Sequence, residues 1–227
     1  MQITNKFVFS VLVSLFLIFL LFPHLENKIS AQEITKGTVI EVRDGKLEKL
    51  ANDGWKQLAK GSEVFLGDKL RTDKKGLAII EMPHIGRFVI GPDSEIELGK
   101  DNKDFKADMP RGAVWLNAKF PKGAKGSITT SLATAGIRGT KFSVFYGRGT
   151  QDLCVCTCIG SVEATLINGK TLPVPKGNIL IIKGDAPLPE SAESALPILS
   201  GQDAGFDFCF NCHVRSGRGK LRSDWKK

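Results

Sequence analysis

The most definite chemistry in the sequence lies in Cys209-Phe210-Asn211-Cys212-His213. Two cysteines separated by two residues and followed at once by histidine form the arrangement that holds a haem covalently. The thiols bond the porphyrin vinyl carbons and the imidazole ligates the iron. The spacing lets one turn of chain present all three groups to one rigid macrocycle. The motif predicts haem c, with Cys209 and Cys212 as attachment points and His213 as the proximal ligand. His84 is the foremost candidate for the opposite face of the iron, with Met82 and Met109 behind it. His24 is lost if the N-terminus is removed. The same residues also suit a Cys209–Cys212 disulfide or a metal site completed from elsewhere in the chain.

The remaining cysteines are Cys154, Cys156 and Cys158. Alternate positions on a strand share one face, so the three thiols line up together, with Val155 and Ile159 on the other side. Both faces of this strand are then apolar or soft. The favoured reading is three small hydrophobes in a buried strand, since cysteine packs well in a core. Pairing of one of them with Cys209 or Cys212, or a metal cluster with His213, stays open. Adjacent members of the row do not readily bridge, because their Cα atoms stand near the disulfide limit.

These groups need a scaffold, and the chain of 227 residues is long enough to build one with its own core. Residues Phe7 to Phe22 form an uncharged apolar run after Lys6, followed by Pro23 and a polar stretch ending at Ala31. Residues 1–31 read as a signal peptide cleaved after Ala31 or as an N-terminal anchor. Either role places the rest in the periplasm or another extracytoplasmic compartment, with membrane contact only through this segment if it is uncleaved. Disulfides are permitted there, and haem c is attached there. Because the run begins at residue 7, no cytoplasmic domain is expected before it.

The formal net charge of +8 is concentrated at the C-terminus, where Arg215, Arg218, Lys220, Arg222, Lys226 and Lys227 face a single acid, Asp224. The remainder is close to neutral, so the charge does not support nucleic-acid binding by the main domain. The basic tail suits contact with an anionic surface or with the acidic patch of a redox partner. There is no nucleophile elbow, paired-acid pattern, phosphate loop or zinc-protease helix, and three histidines offer little for general acid–base work. A non-enzymatic protein is expected.

Residues 36–184 alternate short apolar runs with Gly, Asp, Asn and Pro, which predicts many short strands joined by tight turns. The expected strands are Thr38–Arg43, Gly76–Met82, Arg87–Ile90, Glu95–Leu98, Ala113–Ala118, Phe142–Tyr146, Leu153–Ile159, Val162–Ile167 and Ile179–Ile182. Asp44-Gly45, Asp53-Gly54 and Asn168-Gly169 are expected turn pairs. The predicted class is all-β, a sandwich or a short β-solenoid. Residues 185–205 read as a linker and 206–227 as a basic tail carrying the CxxCH motif.

An ordered series of short blocks runs through the β region. It comprises Trp55, Lys60-Gly61, Val64-Phe65-Leu66-Gly67-Asp68-Lys69-Leu70-Arg71-Thr72, Gly76-Leu77-Ala78-Ile79-Ile80, and Gly91-Pro92-Asp93-Ser94-Glu95-Ile96-Glu97-Leu98. It continues with Arg111-Gly112-Ala113-Val114, Thr134-Ala135-Gly136-Ile137-Arg138-Gly139-Thr140-Lys141-Phe142-Ser143-Val144, Gly160-Ser161-Val162-Glu163-Ala164 and Pro175-Lys176-Gly177. In this series residues 36–184 resemble the FecR domain, the periplasmic module of iron-dicitrate-type transmembrane regulators. The resemblance implies a FecR-like β domain used for sensing or interaction in the envelope, with an envelope protein or redox partner. It is not expected to extend to direct sigma-factor binding, for which the regulators use a cytoplasmic region ahead of their membrane segment. A haem-free binding or scaffold protein and a transmembrane signalling regulator are the alternative functions. Physically, the glycine-containing blocks suit turns, and Trp55 and Trp115 are expected as core anchors.

Overall fold

The computed structural model describes residues 36–147 and 152–194, and all regular structure in them is β. The strands are β1 (Lys36–Arg43), β2 (Leu47–Ala51), β3 (Gly54–Leu58), β4 (Glu63–Phe65), β5 (Lys69–Thr72), β6 (Leu77–Met82), β7 (Gly86–Ile90), β8 (Glu95–Glu97) and β9 (Asp104–Ala118). They continue with β10 (Lys125–Thr129), β11 (Ala133–Ile137), β12 (Lys141–Tyr146), β13 (Leu153–Ile159), β14 (Ser161–Leu166), β15 (Thr171–Pro175), β16 (Asn178–Ile182) and β17 (Glu193–Ser194). The hydrophobic segment 7–22, Cys209, Cys212, His213 and the basic tail lie outside the described residues.

Two sheets form. Sheet I runs β4-β1-β6-β7-β9-β12-β13-β16-β17. Sheet II runs β3-β2-β5-β8-β9-β10-β11-β14-β15. Every pairing is antiparallel except β9 with β10. Strand β9 belongs to both sheets, its first half pairing in sheet II and its second half in sheet I. Successive hairpins alternate between the sheets, which is why the sequence pattern suited either a solenoid or a sandwich. The sandwich is what forms.

One apolar cluster fills the space between the sheets. Val39, Ile80, Phe88, Leu116, Phe142 and Val155 come from sheet I, and Leu47, Leu70, Ile96, Phe105, Ile128 and Val162 from sheet II. Phe105 lies between two other rings, with centroids 5.8 Å from Phe88 and 6.3 Å from Phe120. At about 1.5–3 kcal/mol for each large side chain taken from water, this layer is the main source of stability.

The outer faces of the two sheets differ. On sheet II, Gln57, Glu48, Arg71, Glu95 and Arg111 stand side by side across five strands. Arg71 Nε lies 2.7 Å from Glu48 and Lys69 Nζ 2.6 Å from Glu95, forming a solvent-facing charge ladder. Such exposed pairs add little each, but they keep the face wet. Trp55 lies on this face, half-buried, with the Arg71 guanidinium 4.1 Å from its ring centroid. It is therefore not the core anchor expected, because β3 is the edge strand and its side chain points away from sheet I. On sheet I the corresponding row is Ile79, Val89, Trp115, Ser143, Cys156 and Ile179, uncharged between Glu41 of β1 at one end and Glu193 of β17 at the other. Trp115 is buried as expected, but in this outer layer and not between the sheets.

Loops are pinned by side-chain hydrogen bonds. The Thr72 hydroxyl donates to the Gly91 carbonyl at 2.5 Å and accepts from Ser94 N at 3.1 Å, while Ser94 Oγ accepts from Ala113 N at 2.9 Å. This closes the Gly91-Pro92-Asp93-Ser94 loop against the bend of β9. Before β6, Asp73 accepts from the backbone amides of Lys46, Gly76 and Lys75, which hold its carboxyl below the ordinary aspartate range. A carboxyl depressed in the folded state contributes stability above its unfolded pKa and loses it as pH falls through the folded value. Asp73→Ala is thus expected to lower the melting temperature at neutral pH, with the two melting curves converging in acid. A difference that persists unchanged to the lowest pH would show that the ionised carboxylate is not the stabilising form.

Candidate functional site

The sequence motifs separate in the structure. His84 occupies the turn between β6 and β7, exposed, with a backbone φ of 63°. Its imidazole is accessible but belongs to no cluster: among the described residues no group of three or more His, Cys, Asp and Glu is placed to hold a metal ion. Met82 and Met109 are both 1 % exposed inside the inter-sheet core, so their thioethers are spent on packing.

Strand β13 presents its cysteines as the spacing requires. Cys154 and Cys156 are buried on the outer face of sheet I beside Ile179, Phe145 and Ile181. Cys158 joins the neighbouring cluster around Trp115, Val89, Ile79 and Ala113. Val155 points the other way, into the core, while Ile159 emerges at the strand end, 37 % exposed. A register shift beside Lys141 and Phe142 accommodates this end of the strand.

Sequence reasoning missed one concave feature. A cleft of about 480 Å³ opens where the loop from β9 to β10 meets the turn between β11 and β12. Phe120, Pro121, Gly123, Ala124, Lys125, Arg138 and Gly139 line it. The Phe120 ring forms an apolar wall anchored on Phe105, while exposed Arg138 and Lys125 bring positive charge; Lys125 Nζ also lies 4.0 Å from Asp104. The cleft can take an apolar group with an anionic neighbour. Arg138-Gly139 sits in the most distinctive block of the sequence, but Phe120 and Lys125 precede it in a segment with no recognisable motif. The antiparallel β10–β11 hairpin brings the two together, because Gly126 pairs with Ile137 and the residues flanking that pair meet at its end.

The fold and this site define a class: an all-β sandwich with an open cleft, lined by Arg138 and Lys125, on its surface. The family model described as FecR protein matches residues 68–163, from the start of β5 into β14. That span includes β9, the Arg138-Gly139 turn and the cysteine strand. No curated protein matches. Two crystal structures of a candidate anti-sigma factor from Parabacteroides distasonis ATCC 8503, at 2.50 and 1.65 Å resolution, share the fold, each with a TM-score of 0.51 at 12 % identity. The match covers 58 % of this chain and 62 % and 63 % of those chains, so this chain spans less than two thirds of either.

Proposed function

We propose that the chain is a non-enzymatic sensing and interaction module of the bacterial envelope that carries a covalent c-type haem on Cys209 and Cys212, with His213 as its proximal ligand. The observation that supports the module reading is the FecR match over residues 68–163, coextensive with the centre of the sandwich. FecR-type and anti-sigma-type proteins are regulatory and typically reside in the envelope, and the non-enzymatic assignment follows from that family-level likeness. The open cleft with Arg138 and Lys125 gives such a module a place to receive an acidic partner segment. The haem rests on the CxxCH motif. When bound, it would supply one-electron chemistry or a gas-sensitive iron; the chain's part is to hold it through two thioethers and one imidazole.

The test is export and intact mass in a host competent for cytochrome c maturation. The expected result is an extracytoplasmic protein heavier by one haem, with a sharp α-band on reduction. Cys209→Ser with Cys212→Ser is expected to abolish the added mass, and His213→Ala to alter or abolish the spectrum. An unmodified mass without Soret absorption would overturn the haem assignment and leave the disulfide-bearing or metal-bearing module. Retention in the cytoplasm would overturn the envelope assignment.

A further inference from the structure

The outer face of sheet I is apolar and largely buried from β6 to β16, between Glu41 of β1 and Glu193 of β17 and beside a charged row that holds the Glu81–Arg87 pair. Two adjacent rows cross it: Ile79, Val89, Trp115, Ser143, Cys156 and Ile179, then Ala113, Phe145, Cys154 and Ile181. Val89, Ala113, Ser143 and Ile179 have 0 % exposure, Trp115 2 %, and Cys154 and Cys156 3 %. Sheet II cannot shield them, because it packs on the opposite face. Every described strand belongs to one of the two sheets, so no described element forms a third layer. A sheet buried on both faces reads as near-continuous apolar strands, and LAIIEM, LCVCTCI and NILII have that character. Strands SVEATL and TLPVP of sheet II instead alternate buried and exposed residues.

We propose that this face is the docking surface for the chain's own C-terminal segment, residues 195–227, and that Phe206, Phe208 and Phe210 are its principal contacts. The chain leaves the sandwich at β17, which pairs with Asn178 and Ile179 at the edge of sheet I, directly beside the Cys154–Cys156–Ile179 cluster. From Ser194 to Phe206 an extended chain reaches about 40 Å, at roughly 3.3 Å per residue. The apolar row spans five inter-strand spacings, about 24 Å at roughly 4.8 Å each, so every part of the face is within reach. The chemistry also fits. Phe206, Phe208 and Phe210 alternate with Asp207, Cys209 and Asn211, and Leu196 with Ile198 form a shorter apolar pair upstream. An extended segment with that period presents one aromatic side to the sheet and turns Asp207, Cys209 and Asn211 outward. The N-terminal apolar run is the weaker occupant. It enters through Lys36, beside β4 at the far edge of the sheet, and its composition suits export or anchoring. The segment that holds the CxxCH motif is on this account part of the domain's packing and not a free tail.

The test reads Trp115, made the sole tryptophan by Trp55→Phe and Trp225→Phe, in protein prepared without haem so that only burial affects its emission. In the full chain, Trp115 is expected to emit in the blue and resist acrylamide. Stopping the chain after Ser194 is expected to shift emission to the red and raise the quenching constant several-fold. Phe206→Ser, Phe208→Ser and Phe210→Ser together are expected to do the same, and this variant serves if the truncated chain fails to fold. Deleting residues 1–31 is expected to leave Trp115 shielded. The proposal is overturned if Trp115 stays protected in the triple variant. It is equally overturned if Trp115 is uncovered by removing the N-terminus, or by diluting a dimer into monomers, which would make the first segment or a second copy the occupant. None of these readings depends on haem attachment.

Discussion

Phe105→Ala is expected to destabilise the domain by about 4 kcal/mol, within the range of about 3–5 kcal/mol typical of large aromatic truncations in a core. Phe105 is 0 % exposed and contributes from the first half of β9, where the chain still belongs to sheet II. Its ring meets Phe88 of sheet I at 5.8 Å and Phe120 of the following loop at 6.3 Å. Truncation removes apolar burial, two ring contacts and the support that holds Phe120 in the cleft wall. The surrounding backbone is locked in two sheets, so the void cannot close easily. Urea denaturation checks the value, and a loss below about 1.5 kcal/mol would mean that the core around this ring collapses readily. Because domains are stable by about 5–15 kcal/mol in all, the variant is expected to be folded but marginal at 37 °C. Any ligand affinity of the cleft is expected to fall with it, since Phe120 loses its backing.

Much of this scaffold was legible before the structure. Apolar runs bounded by turn residues marked β1, β6, β7, β12, β13, β14 and β16, with bounds within two residues of those formed. The strands that escaped notice did so for physical reasons that differ with their place in the sheets. β2, with sequence LEKLA, carries charge on both sides, and β3, with GWKQL, sets Lys56 and Gln57 side by side, because the two form the wet edge of sheet II. β10 and β11, KGSIT and ATAGI, are built from small residues whose burial signal is weak. β9 was recognised only in its Ala113–Ala118 half. Its first half, DFKADM, alternates strictly and faces solvent on one side, while the second is buried on both faces, so the two halves of one strand follow different patterns. β17 lies in the stretch expected as a linker and adds to the edge of sheet I. The shared face of the three cysteines followed directly from the two-residue period of a strand. The Phe120–Arg138 cleft did not, because the β10–β11 hairpin that closes it is built from KGSIT and ATAGI, whose small residues leave little pattern to read.

Gly112→Ala is expected to cost about 4 kcal/mol, although it adds a single methyl group. Gly112 lies where β9 passes from sheet II to sheet I, with φ at +106°, a region that L-residues rarely adopt. A Cβ there would stand 2.3 Å from both Ser94 Cα and Ser94 Oγ, well inside contact distance and partly against backbone. Backbone strain of about 1–3 kcal/mol and overpacking of about 1–3 kcal/mol therefore add at one position. The displaced Ser94 hydroxyl is the acceptor for Ala113 N at 2.9 Å, so the bend and the loop that pins it are disturbed together. Gly123→Ala is the control that separates the causes. Gly123 also has positive φ, +85°, but a Cβ there would have no atom within 4 Å, so only the strain applies and a loss of about 1 kcal/mol is expected. Equal losses at the two glycines, measured by the same urea titration, would show that dihedral strain alone governs both. A larger loss at Gly112 means that the crossing of β9 is held by close approach of two backbones, with glycine as the residue that permits it.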